Sequence, residues 1–247
     1  MFRVLYVELM KLKRTRILWL CVVGAYLPLM INYFGAKQGN FDWPKFYFFN
    51  WNMLYLLGPV LFSTFASNLI IREYQEKTIN NLFLYPYSRL QFFIGKFLIC
   101  LFMILATMIL SFVGVLIAGQ TVIGQEIGAD MILQFFIVCI ATSLLQWLLV
   151  SISVFASICT KSYIAPVIIG ICLTIVGMMV MSTEYAAYFP YSSISIIISK
   201  IPALLSGEII NQLDMKNVII SILSISITGF IFIFLSAWSY MKNDIHN

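Results

Sequence analysis

The sequence predicts an all-α membrane protein with six transmembrane helices, and three observations predict it. Of its 247 residues 62% are hydrophobic and only 10% are charged, whereas a soluble domain carries roughly a quarter of its residues as charges. Charge-free apolar runs hold spans at about 17–36, 46–71, 97–118, 131–158, 162–183 and 217–241, each long enough to cross a hydrocarbon core of about 30 Å as a helix. None of these runs alternates in and out as a barrel strand does. Helices, which satisfy their own backbone polar groups in lipid, remain as the spanning structure. Six such spans with short connections use up the chain, so residues 1–247 read as a single transmembrane domain.

Residues 1–16 come first. Phe2, Leu5, Leu9 and Leu12 recur at helical spacing, with Arg3, Lys11 and Arg14 on the other side. This reads as a short amphipathic helix on the cytoplasmic leaflet. A basic segment before an apolar run can also be a cleaved signal peptide. Here the basic part extends to Arg16, and Phe34-Gly35-Ala36 offers a bulky side chain where a cleavage site needs a small one. A retained first span is expected.

The later spans carry neutral polar residues. Asn50, Asn52, Ser63, Ser67 and Asn68 lie in the second, and Ser143, Gln146, Ser153 and Ser157 in the fourth. The last four follow one another at helical spacing and share a face, which fits either helix-to-helix contact or a substrate-facing surface. Between the fifth and sixth spans, residues 185–207 are broken by Pro190, Lys200 and Pro202 and read as re-entrant or interfacial helix. A seventh span there would move the C-terminus across the membrane.

Orientation follows from the basic residues. With six spans and the N-terminus inside, Arg3, Lys11, Lys13, Arg14, Arg16, Arg72, Lys77, Arg89, Lys96, Lys161 and Lys242 are cytoplasmic. Only Lys37, Lys45, Lys200 and Lys216 lie on the other side. The positive-inside rule therefore puts both termini in the cytoplasm. The same clustering accounts for the net charge of +5 by anionic lipid, so no nucleic-acid partner is expected.

Several chemistries find no residues here. The lone histidine is His246, the five cysteines show no CxxC spacing, and neither HExxH nor GxSxG occurs. No metal site and no catalysis by the chain itself is expected. Gly95-Lys96 lacks the rest of a phosphate-binding loop. Ion-coupled pumps place ionisable groups at depth, and the spans contain none. Energy for uphill transport would have to come from a partner that hydrolyses nucleotide.

The most informative segment is the loop 72–89. Glu73 reads as opening a short helix that presents an apolar edge with Leu82 and Phe83, Pro86 stops it, and Ser88 with Gln91 forms a capping-box pattern for the third span. The order Glu73, Thr78, Leu82, Pro86, Ser88, Arg89 and then Gly95-Lys96 resembles the signature of the type-2 ABC exporter permease family, and Glu76 and Phe83 are expected to join its coupling residues. Glu8 and Lys11 resemble its usual opening. Lys77 departs from the pattern, in which a glycine commonly precedes the threonine. The resemblance implies a permease dimer, identical or related, that works with two cytosolic ATPases. It makes the loop a coupling helix, makes the helices between spans five and six an outer closure, and leaves ATP and Mg to the partner subunit. The short chain is most similar to the permeases that protect Gram-positive bacteria from bacitracin or lantibiotics, which implies a bacterial plasma membrane. Without the resemblance, the composition also suits a stand-alone channel, a secondary transporter, or a membrane scaffold or sensor.

Overall fold

The structure, a computed structural model, describes residues 2–13, 17–37, 39, 41–75, 88–124, 126–206 and 212–242. The described elements are all helical. They are α1 (Phe2–Lys13), α2 (Ile17–Ala36), α3 (Trp43–Gln75), α4 (Arg89–Ile123), α5 (Ala129–Thr160), α6 (Ile164–Met181), α7 (Pro190–Ser206) and α8 (Gln212–Lys242). Six of them, α2 to α6 and α8, are long and apolar enough to cross a membrane.

Most of these helices overrun the apolar runs that announce them. α3 continues through Arg72 to Gln75 and α4 begins at Arg89, because backbone hydrogen bonding does not stop at a charge. It stops at caps. The Ser88 hydroxyl accepts from the Gln91 N–H, and the Gln91 side chain accepts from the Ser88 N–H at 3.1 Å. At the far end of α4, Gly124 takes φ 68° and its N–H reaches the Gln120 carbonyl, a left-handed closure that glycine adopts without strain.

Two stacked apolar clusters fill the bundle. One joins Leu12, Phe93, Phe97, Ile70, Val154, Ile158 and Tyr240; the other joins Phe46, Tyr47, Trp51, Tyr55, Phe135, Ile194, Ile198 and Ile225. Helices approach most closely where a side chain is missing. A Cβ on Gly170 of α6 would lie 3.1 Å from the Pro59 carbonyl oxygen of α3.

The direction of α8 follows from the contacts of its last turn. Arg89, at the start of α4, donates to the Met241 carbonyl at 2.9 Å, and the Phe93 and Tyr240 rings lie 5.8 Å apart. The last turn of α8 therefore meets the first turn of α4. α7 does not cross the bundle. The Tyr55 hydroxyl donates to the Tyr191 carbonyl at 2.7 Å, so α7 starts roughly 18 Å along α3 at 1.5 Å per residue. From there it runs antiparallel to the first part of α8, tied by Lys200 to Asp214 at 2.8 Å and by Ser224 to the Tyr188 carbonyl. Among the described helices six are long and apolar enough to cross, and α7 starts partway along α3 and turns back beside α8. The start of α2, the end of α3, the start of α4, the ends of α5 and α8 and the start of α6 share one end with α1.

Candidate functional site at the loop end of the bundle

The end that carries residues 76–87 is held together around the first turns of α4. Arg89 reaches α8, as above. Two turns on, Lys96 is only 2% exposed, and its Nζ donates to the Leu69 carbonyl of α3 at 2.8 Å. Beside it the Trp147 indole N–H of α5 donates to the Phe97 carbonyl at 2.8 Å, with the two rings 4.6 Å apart. α1 packs over the same turns through Leu5 and Leu12. One short stretch of α4 is therefore tied to α3, α5 and α8 by directional bonds and to α1 by packing.

The sequence-predicted residues fall out unevenly on this frame. Glu76, Thr78, Leu82, Phe83 and Pro86 lie outside the described residues, as does Arg14. Ser88 and Arg89 are in place, as the cap and the α8 tie. Glu73 needs a correction. It does not open a separate helix, because α3 runs unbroken to Gln75 and places Glu73 in its final turn. Arg72-Glu73-Tyr74-Gln75 contains no glycine or proline to end the helix, so it propagates from α3.

α1 needs a second correction. Its buried face is Leu12 with Glu8, which is 3% exposed, while Leu9 belongs to an exposed apolar face with Tyr6, Val7 and Met10. Glu8 tolerates burial because Lys11 Nζ lies 2.6 Å from its carboxylate. A one-stripe reading of hydrophobic spacing assigns charges outward by default, so it missed a carboxylate paired one turn along. The signature names Lys96, but its burial was missed for a similar reason. Apolar runs were cut at charges, although a lysine can bury its stem and carry its ammonium to a carbonyl.

Deeper in the bundle the polar side chains are neutral. Ser143, Gln146, Ser153 and Ser157 are all buried and share a face, as their spacing predicts. Ser143 and Ser157 donate to carbonyls of their own helix, which leaves Gln146 as the amide of the group. Its Nε2 has no partner among the described residues, and the same is true of Asn50 Oδ1 and Ser221 Oγ. Asn50 Nδ2 donates to Ser111 Oγ at 3.0 Å and Trp51 Nε1 to Thr142 Oγ1 at 3.0 Å. α3 is thereby tied to α4 and α5 at this depth. Asn52 is exposed, while Ser63, Ser67 and Asn68 bond to α3 itself. Toward the opposite end, Ser192 and Ser193 donate to the Ala186 and Ala187 carbonyls and fold the turn before α7 onto that helix. Burial, with the Tyr55 phenol nearby, holds the Tyr191 phenol above its ordinary pKa and therefore neutral.

Six helices long and apolar enough to cross a membrane, packed into one bundle, define a multi-pass membrane protein. The sequence profile of the ABC-2 family transporter proteins matches residues 4–177. Over 152 residues the chain is 30% identical to the bacitracin transport permease protein BCRB of Bacillus licheniformis, an overlap of 61% of this chain and 72% of that one. No solved structure matches. The chain belongs to the ABC-2 transporter family and is a membrane permease subunit of an ABC exporter. Its family works with ABC ATPase subunits at the membrane.

Proposed function

We propose that this permease exports an amphipathic or apolar substrate of the peptide-antibiotic kind, driven by ATP that separate cytosolic subunits bind with Mg and hydrolyse. The observation that carries the substrate class is the 30% identity to a bacitracin transport permease. The chain is one permease domain over residues 1–247, has no catalytic residues of its own, and pairs with a second permease copy or a related chain. It sits in a bacterial plasma membrane with both termini cytoplasmic. The gathering of α1, the end of α3, the start of α4 and the end of α8 at one end of the bundle supports that orientation, since the basic residues cluster there. In this reading α1 is interfacial with Glu8, Lys11 and Arg14, and α7 is re-entrant and closes the outer side. Ser143, Gln146, Ser153 and Ser157 are the candidate substrate-facing group.

The ATPase engages residues 73–89, through Glu73, Glu76, Thr78, Leu82, Phe83, Pro86, Ser88 and Arg89. At an interface one well-packed apolar contact is worth about 2 kcal/mol or more, so Leu82→Glu and Glu73→Lys should cost far more transport than folding. Both variants are expected to insert at wild-type levels, yet to lose ATPase co-purification or the bacitracin resistance conferred on cells. Normal insertion with wild-type resistance would remove the coupling assignment.

A further inference from the structure

We infer that Lys96 is a positioning residue that keeps the loop-side ends of α3 and α4 in register, so that a displacement of the loop moves the two helices as one body. The inference deepens the coupling reading and rests on it. The Lys96 stem runs among Ile70, Phe93, Phe97, Cys100 and Val154, and its ammonium ends on the Leu69 carbonyl at 2.8 Å. Leu69 lies three residues before Arg72, so the charge is carried toward the loop end of the bundle while the stem stays in apolar surroundings.

The bond matters because of what surrounds it. Apolar attraction between two helices is non-directional and singles out no partner atom. A hydrogen bond from a cation to a fixed carbonyl is directional and roughly twice as strong as a neutral one, so it resists sliding. The other described side-chain bond between these helices, from Asn50 to Ser111, lies roughly 28 Å away along α3. It cannot by itself fix the register at the loop. α4 is in turn tied to α8 by Arg89 and to α5 by Trp147. A push delivered to residues 76–87 therefore finds α3 and α4 locked together, with paths onward into α5 and α8. Without Lys96 the same push could be spent in shear between α3 and α4.

The test is a distance measurement that needs no transport substrate. Spin labels are placed at Gln75 and Leu90, both exposed, with the exposed Cys159 and Cys172 replaced by serine. The permease is kept in complex with its ATPase subunits. Distances are read without nucleotide and after trapping with ATP and vanadate. In the otherwise native protein the Gln75–Leu90 distance should hold to within about 2 Å, the scale of a helix shift. In Lys96→Met it should lengthen and broaden beyond that on trapping, and Lys96→Arg should restore the narrow distribution. If Lys96→Met does not accumulate, Lys96→Gln, which is too short to reach Leu69, is read in its place. A larger shift with Lys96 intact, or an unchanged distance in the Met or Gln variant, overturns the inference. Loss of resistance in the Glu73 and Leu82 variants together with a shifting Gln75–Leu90 distance would sink the role of Lys96 alone. Wild-type resistance in those two variants would sink the coupling reading beneath it.

Discussion

Gln146→Met separates the two roles open to the polar face of α5. Gln146 is 1% exposed, and its Nε2 has no partner among the described residues. A buried donor left unmade costs about 1–3 kcal/mol, while a side chain of similar volume in its place usually costs under about 1.5 kcal/mol. The difference favours the variant by about 1 kcal/mol. At this chain length that is a rise of roughly 2–4 °C in the unfolding midpoint. The assay is thermal unfolding of the detergent-solubilised permease, run beside bacitracin resistance of cells carrying the permease with its ATPase. A Gln146 that serves helix contact gives the rise in midpoint with resistance intact. A Gln146 kept for the substrate gives the same rise with resistance lost, because the amide is retained against a stability cost. A midpoint that falls would refute the reasoning at its root, since Nε2 would then be making a bond worth more than its burial.

Two further outcomes follow from the ends of the helices. Ser88→Ala removes the side-chain acceptor of the α4 capping box and should cost about 1 kcal/mol; the unfolding midpoint should drop and Ser88→Asp should recover it, whereas an unchanged midpoint would mean the cap carries no weight. For orientation, a cysteine at Gln125 should react with a membrane-impermeant reagent in intact cells and one at Gln75 should not; labelling at Gln75 would reverse the assigned topology.

What the sequence could disclose is divided by the kind of force involved. Hydropathy is additive along the chain, so six spans were legible. The capping box at Ser88 and Gln91 was legible too, because its partners are three residues apart and the bond is local. The face shared by Ser143, Gln146, Ser153 and Ser157 follows from helical periodicity. Pairings distant in sequence were not legible. Lys96 finds its acceptor 27 residues back, on α3, and Arg89 finds one 152 residues on, at the end of α8. No pattern around either residue names that partner. The end of α3 misled for another reason: Glu73 lies past the apolar run, where a new helix was expected, and yet polar residues with good helix propensity prolong an existing helix at little cost.

The distribution of buried charge bears on how the protein could be driven. Among the described residues the buried ionised groups are Glu8 and Lys96, and both belong to the loop end, each with an oxygen or ammonium partner. The middle of the bundle holds Asn50, Ser111, Thr142, Gln146 and Ser221, which stay neutral at any working pH. A proton or sodium ion binding at that depth would meet no ionised group among the described residues and would pay much of the cost of leaving water. Force that enters at the loop end meets a different situation, since cation-to-carbonyl bonds from Arg89 and Lys96 join α4 to α8 and α3 there, and the indole of Trp147 joins it to α5. The polar groups at depth can then be exposed or covered by a change in helix packing without any of them changing charge. On the proposed coupling, the permease takes its work as displacement at the loop end, the form in which an ABC ATPase subunit can deliver it.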